Sequence, residues 1–226
     1  VSLVGPSGFF KSALLYMIGG FVHPTSGRLL ADGKPITKPG IDRGIVFQDY
    51  ALFPWLTVYD NIAYGLQMKG CSRAEERDTV GRYIDLIGLK GFETRYPREL
   101  SGGMKQRVAL ARTFAYGPDI LLLDEPFGAL DSQTREIMQD ELLRLWGSTG
   151  KTILMVTHDV SEAVYLSTRV CVMSRRPGRI VREFPITLDR TGTRESIVLS
   201  SAYTELHNQV WLAVRQEVLV PGGDAP

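Results

Sequence analysis

Apolar residues along the chain follow two rhythms. Continuous short runs occur in VSLV, GIVF, ILLL, TILMV and RVCVM, each ending in glycine or polar residues. Such runs read as strands buried on both faces, the pattern of a parallel sheet. Between them the spacing changes to that of helices. SALLYMIGG (12–20) predicts about two turns with a glycine stop. Residues 60 to 91 predict a helical stretch, with Val80, Tyr83, Ile84 and Ile87 on one apolar face. SGGMKQRVALARTFAYG predicts a helix capped by Ser101, REIMQDELLRLWG an amphipathic helix, and Tyr203 to Val218 a last helix with Leu206, Val210 and Val214 on one face. Asp32-Gly33 in SGRLLADGKPI marks a hairpin turn, and Pro177-Gly178 separates the strand candidates TRVCVMS and GRIVREFPI. Strands alternating with helices predict an α/β fold with a mostly parallel sheet.

At 226 residues the chain can bury a large core as one domain or a domain with a subdomain. A net charge of +1 gives no global field for nucleic acid. Cys71 and Cys171 lie far apart and suggest a reducing compartment. No apolar run is long enough to cross a bilayer, and no signal-peptide pattern is present, so a cytoplasmic chain is expected. The first residue, Val1, already sits in a strand-like run without an initiator Met, as expected of a sequence lacking its natural start.

The strand VSLV leads into GPSGFFKSALL, a strand–Gly-rich turn–helix arrangement. A phosphate-binding loop reads G-x-x-x-x-G-K-[ST]. Gly5 opens that spacing and Lys11-Ser12 closes it, with Phe10 where the second glycine belongs. In such a loop, backbone N–H groups and the helix start cradle phosphates, Lys11 reaches the β- and γ-phosphates, and Ser12 ligates Mg²⁺. Taken alone, the segment fits a chance Gly-rich turn equally well. Asp124 and Glu125 end the apolar strand DILLLDE, where the first acid can hold Mg²⁺ and the second can orient an attacking water. Ser101-Gly102-Gly103 would expose unpaired N–H groups at a helix start, an anion site.

With these residues in order, the chain resembles the ATP-binding subunit of ABC transporters over nearly its whole length. LSGGMKQR resembles the signature motif, and GIVFQDYALFP resembles the Q-loop with Gln48 in the glutamine position. FGALD resembles the D-loop ending in Asp131, and VTHD puts His158 in the switch-histidine position. The PGIDRGIVFQDYALFPWLTVYDNIAYGL and MSRRPGRIV segments are similar to importers of the nitrate, sulfonate and taurine type. The resemblance implies a P-loop NTPase with a mostly parallel sheet, a partial antiparallel β-subdomain and a helical subdomain, truncated at its N-terminus. It implies one ABC ATPase domain over 1–226, with the helical signature subdomain at 60–100 and a C-terminal helix and tail at 200–226. ATP and Mg²⁺ are the implied ligands. Gly5, Pro6, Ser7, Gly8, Phe9, Phe10, Lys11, Ser12, Ala13 and Gln48 would contact ATP, while Ser12, Gln48 and Asp124 would hold Mg²⁺. Ser101, Gly102 and Gly103 would face the ATP of a second ATPase subunit in a homodimer or heterodimer. Glu125 would polarise water, His158 would contact the γ-phosphate, and Asp131 would link the two sites. Implied partners are a transmembrane permease and, indirectly, a periplasmic or lipid-anchored solute-binding protein, with no nucleic acid. The implied place is the cytoplasmic face of the membrane. The apolar loop residues Tyr50, Phe53, Pro54 and Trp55 suit the permease contact.

The family pattern has a small residue, Gly, then Lys-Ser-Thr, where this chain has Phe9, Phe10, Lys11, Ser12 and Ala13. A Cβ in the left-handed conformation open to glycine would cost about 1–2 kcal/mol at Phe10. Ala13 lacks a hydroxyl for the α-phosphate, and the family's adenine-stacking aromatic is not identifiable. Two readings stay open: an active transport ATPase that tolerates Phe10, and a degenerate subunit that docks on a permease but binds ATP weakly. The absence of a long coiled-coil insertion or zinc cysteines argues against a soluble ABC protein acting on DNA or ribosomes.

Overall fold

The computed structural model describes residues 1–6 and 10–219. In chain order the strands are β1 (Ser2–Val4), β2 (Leu30–Ala31), β3 (Lys34–Pro35), β4 (Arg43–Val46), β5 (Ile120–Asp124), β6 (Thr152–Val156), β7 (Arg169–Met173) and β8 (Ile180–Pro185). The helices are α1 (Phe10–Gly19), α2 (Val58–Met68), α3 (Arg73–Leu86), α4 (Gly102–Tyr116), α5 (Ser132–Thr149), α6 (Val160–Leu166), α7 (Arg194–Val198) and α8 (Ser201–Leu219). The chain forms two compact units, residues 1–38 with 154–226 and residues 39–153.

In the first unit, β1 runs parallel to β6 on one side and to β7 on the other, and β8 returns antiparallel to β7. β1 is buried along its length, which suits apolar Leu3 and Val4, while buried Ser2 is hydrogen-bonded to the Ser167 hydroxyl. Asp32 and Gly33, at φ 48° and 77°, turn β2 into β3 as expected. Arg190 caps the end of α6, its guanidinium donating to the Tyr165 carbonyl at 3.0 Å and the Ser167 carbonyl at 2.6 Å. Burial lowers its pKa. In α8 the buried residues are Tyr203, Val210 and Ala213, with Leu206 and Val214 half-buried beside them.

In the second unit β4 and β5 pair in parallel, and α4 packs along α2. The helical stretch expected over 60–91 is two helices, not one. Gly70 at φ 75° stops α2, and Ser72 opens α3 through a capping box with Glu75. Val80, Tyr83, Ile84 and Ile87 are buried, so the apolar face was legible even though the break was not. Glu141 of α5 ties to α3. It accepts from Arg144 at 2.7 and 2.8 Å and from Arg82 of α3 at 3.3 Å. Burial raises the Glu141 carboxyl, but these arginines hold it below its ordinary value.

Candidate functional site

In the first unit, β1 delivers the chain to the Gly-rich loop and α1 carries it away. Gly5 is required by space and conformation. Its φ is 150°, and an added Cβ would collide with the Met173 carbonyl oxygen. Lys11 is only 5% exposed and donates to the Gly5 carbonyl at 3.1 Å and the Pro6 carbonyl at 2.7 Å. Ser12 and Ala13 are half-buried in the first turn of α1. Ser7, Gly8 and Phe9 lie outside the described residues.

The left-handed strain expected at Phe10 is absent. Phe10 is the first residue of α1 and is not among the positive-φ residues, so its Cβ sits in the ordinary right-handed region. Its ring, 39% exposed, lies against Gly178 of the β7–β8 turn. His158 is exposed between β6 and α6. Its neighbours fix the backbone there. Thr157 donates to Glu162 at 2.8 Å, and Asp159 caps α6 by accepting from Ser161 N at 2.8 Å.

In the second unit, Asp124 ends β5 and is 1% exposed. Glu125 follows at φ 48°, an uncommon and strained conformation for a non-glycine residue. Gln106 of α4 helps to hold it. The Gln106 Nε2 donates to the Pro126 carbonyl at 2.5 Å and the Glu125 carbonyl at 3.3 Å, while Oε1 accepts from Ala129 N at 2.9 Å. Gln106 is therefore a clamp between the signature helix and the segment from Glu125 to Asp131, a role that the LSGGMKQR wording alone did not assign. Ser101 caps α4 as expected, accepting from Met104 N at 3.3 Å. Ser101 and Gly102 are exposed, and a Cβ on Gly103 would meet the Ala129 carbonyl at 3.2 Å. Asp131 caps α5, and the Thr134 N–H lowers its pKa by bonding the charged form.

Gln48 is exposed in the turn after β4. Tyr50 and Ala51 follow at φ 63° and 44°. Arg112 of α4 secures them by donating to the Ala51 carbonyl at 2.8 Å and the Tyr50 carbonyl at 3.2 Å, and its guanidinium lies 5.3 Å from the Phe53 ring centre. Asn61, fully buried, organises the next loop. It accepts from Phe53 N at 2.9 Å and donates towards the carbonyls of Phe53, Leu56 and Thr57. This loop displays Trp55 at 70% exposure, with Phe53 4.6 Å from Tyr64 between ring centres. Arg112 and Asn61 were not identifiable from sequence, because their partners lie on another element or on backbone. Among the described residues, no group of three or more His, Cys, Asp or Glu side chains gathers to hold a metal, and no helix is long and apolar enough to cross a membrane.

The ABC transporter family profile matches residues 1–128. The chain is 55% identical over 188 residues to a nitrate import ATP-binding protein, NrtD, of Synechocystis sp., covering 83% of this chain and 71% of that one. It is 46% identical over 214 residues to a taurine import ATP-binding protein, TauB, of Rhizobium johnstonii, covering 93% and 82%. Among solved structures, a dimeric bacterial ABC transporter cassette, MJ0796, superposes with a TM-score of 0.74 at 35% identity, covering 82% of this chain and 84% of that one. A post-hydrolysis dimer of the same cassette, bound to ADP and Pi, gives 0.73. The fold, the motif order and these relatives together show that the chain belongs to the ABC transporter family as an ATP-binding subunit, an ATPase coupled to transport.

Proposed function

We propose that the chain powers a solute importer for nitrate, sulfonate, taurine or a similar small anion, and that it works as one of two ATPase subunits beneath a permease. The observation that carries the ATPase reading is the Asp124–Glu125 pair: a buried acid followed by an acid in strained left-handed backbone, held by Gln106. Strain of this kind costs about 1–3 kcal/mol and persists where surrounding structure holds it for a task. Lys11 would place its charge on the β- and γ-phosphates. Ser12, Asp124 and Gln48 would hold Mg²⁺; few protein ligands suit an ion that keeps waters and binds substrate phosphates. When bound, Mg²⁺ would neutralise charge on the phosphate oxygens. Glu125 would orient and polarise the attacking water, and His158 would contact the γ-phosphate. The exposed start of α4 at Ser101–Gly103 would offer N–H groups to ATP on the second subunit, with Asp131 linking the sites.

The aromatic loop supports a permease-facing role. Exposed Trp55 and Tyr64 flank half-buried Phe53 in an aromatic cluster whose loop backbone is hydrogen-bonded by Asn61 and Arg112, an apolar surface suited to a partner helix. Such docking would put the subunit on the cytoplasmic face of the membrane. A solute-binding protein would act only through the permease, and the second subunit can be identical or different.

The competing reading is a degenerate subunit that docks but holds ATP weakly. The right-handed conformation of Phe10, with its ring on Gly178, favours the active reading. ATP binding and turnover measured on the full-length chain and on Phe10→Gly separate the two. Saturable turnover with Phe10 present is expected. Turnover that appears only in Phe10→Gly would establish the degenerate reading instead.

A further inference from the structure

The phosphate loop touches one hairpin at both ends. At its start, Gly5 lies so close to β7 that a Cβ would collide with the Met173 carbonyl oxygen. At its end, Phe10 lies on the turn between β7 and β8. A Cβ built on Gly178 would stand 2.7 Å from the Phe10 Cγ, 2.8 Å from its Cβ and 3.1 Å from its Cδ2. These are the three nearest atoms, so the room at position 178 is taken up by Phe10. Gly178 does not need glycine for its backbone, because its φ lies outside the left-handed region. The turn is also well defined. Ser174 accepts from Arg179 N at 3.1 Å and donates towards the Pro177 carbonyl at 2.7 Å, and Ser174 N donates to the Arg179 carbonyl at 2.9 Å.

We infer that Phe10 and Gly178 are a matched pair that positions the helical end of the phosphate loop: the missing side chain at 178 makes the room that the extra one at 10 requires. The pair is a positioning device for nucleotide, and it rests on the reading of this loop as the ATP site. A side chain at position 178 would push Phe10 off the turn and move the start of α1, where Lys11 and Ser12 follow. ATP affinity therefore depends on residue 178 only while residue 10 carries a side chain. Position 10 sets a graded scale. Alanine there keeps the Cβ contact at 2.8 Å, whereas glycine removes all three contacts.

The test is a double-mutant cycle on the full-length chain. ATP dissociation constants and nucleotide-free melting temperatures are measured for the parent, Gly178→Ala, Phe10→Gly and the double variant that combines them. Gly178→Ala is also introduced into Phe10→Ala and compared with Phe10→Ala alone. Contacting residues couple by an amount that predicts about ten-fold weaker ATP binding for Gly178→Ala in the parent. The loss should be smaller in the Phe10→Ala background and under about two-fold in the Phe10→Gly background. Equal loss in the parent and in the Phe10→Gly background would overturn the pairing. A lowered melting temperature with unchanged ATP affinity would overturn its role in nucleotide positioning and leave only a packing contact. If no variant binds ATP while the melting temperatures remain non-additive, the ATP reading itself falls and the contact stands.

Discussion

Gln106→Ala tests how α4 holds the segment from Glu125 to Asp131. Gln106 is 4% exposed and serves the carbonyls of Pro126 and Glu125 and the N–H of Ala129. Truncation removes the bonds at 2.5 and 2.9 Å and leaves the Pro126 carbonyl and the Ala129 N–H to find water or go unpaired. Neutral bonds contribute about 0.5–1.5 kcal/mol each, and a stranded buried group costs about 1–3 kcal/mol. A total of about 2–4 kcal/mol follows, or about 4–16 °C in melting temperature for a chain of this size. The backbone of Glu125 also loses a restraint on its strained φ, so turnover should fall more than the KM for ATP rises. Gln106→Glu keeps the acceptor for Ala129 N but turns a buried carboxylate towards two carbonyls, and should lower both the melting temperature and turnover at least as much as Gln106→Ala. The assays are thermal unfolding and steady-state ATP hydrolysis. An Ala variant with parent melting temperature and parent turnover would refute the clamp.

Other predictions concern the remaining surfaces. Trp55→Ala should change stability by less than about 0.5 kcal/mol, because the ring is exposed, yet weaken co-assembly with the permease by about 30-fold, measured by titration in detergent. Glu141→Gln should destabilise the chain by about 1–3 kcal/mol at neutral pH through loss of its charged bonds to Arg144 and Arg82. Because those arginines depress the Glu141 pKa, its contribution is complete above the unfolded value of about 4.3 and disappears as pH falls through the lower folded value. Denaturant titrations should therefore show the difference between parent and Glu141→Gln narrowing as pH drops from about 5 towards 3. A constant difference would assign the loss to packing instead of charge.

What could be read from sequence was whatever repeats a local rule. Apolar runs marked β1, β5, β6 and β7, Asp32-Gly33 marked a hairpin, and Ser101 marked the start of α4. The order of short motifs pointed to an ABC ATPase, which the family match supports. The break between α2 and α3 was missed because the apolar face of α3 masked the stop at Gly70 and the cap at Ser72. Contacts distant in sequence were invisible. Nothing near Gln106 announces Ala129, nothing near Arg112 announces Ala51, and Phe10 is far from Gly178. Phe10 is the instructive case. A local rule for glycine at that position predicts strain, but a right-handed helix start and a glycine in a remote turn make room for the ring.

The most direct test of the central claim is ATP hydrolysis by the full-length chain assembled with its permease, in the parent and in Glu125→Gln. Saturable turnover is predicted for the parent, falling by about 10²-fold or more in Glu125→Gln while ATP binding is kept. Parent protein that hydrolyses no ATP, or a Glu125→Gln variant that hydrolyses it equally fast, would contradict the account.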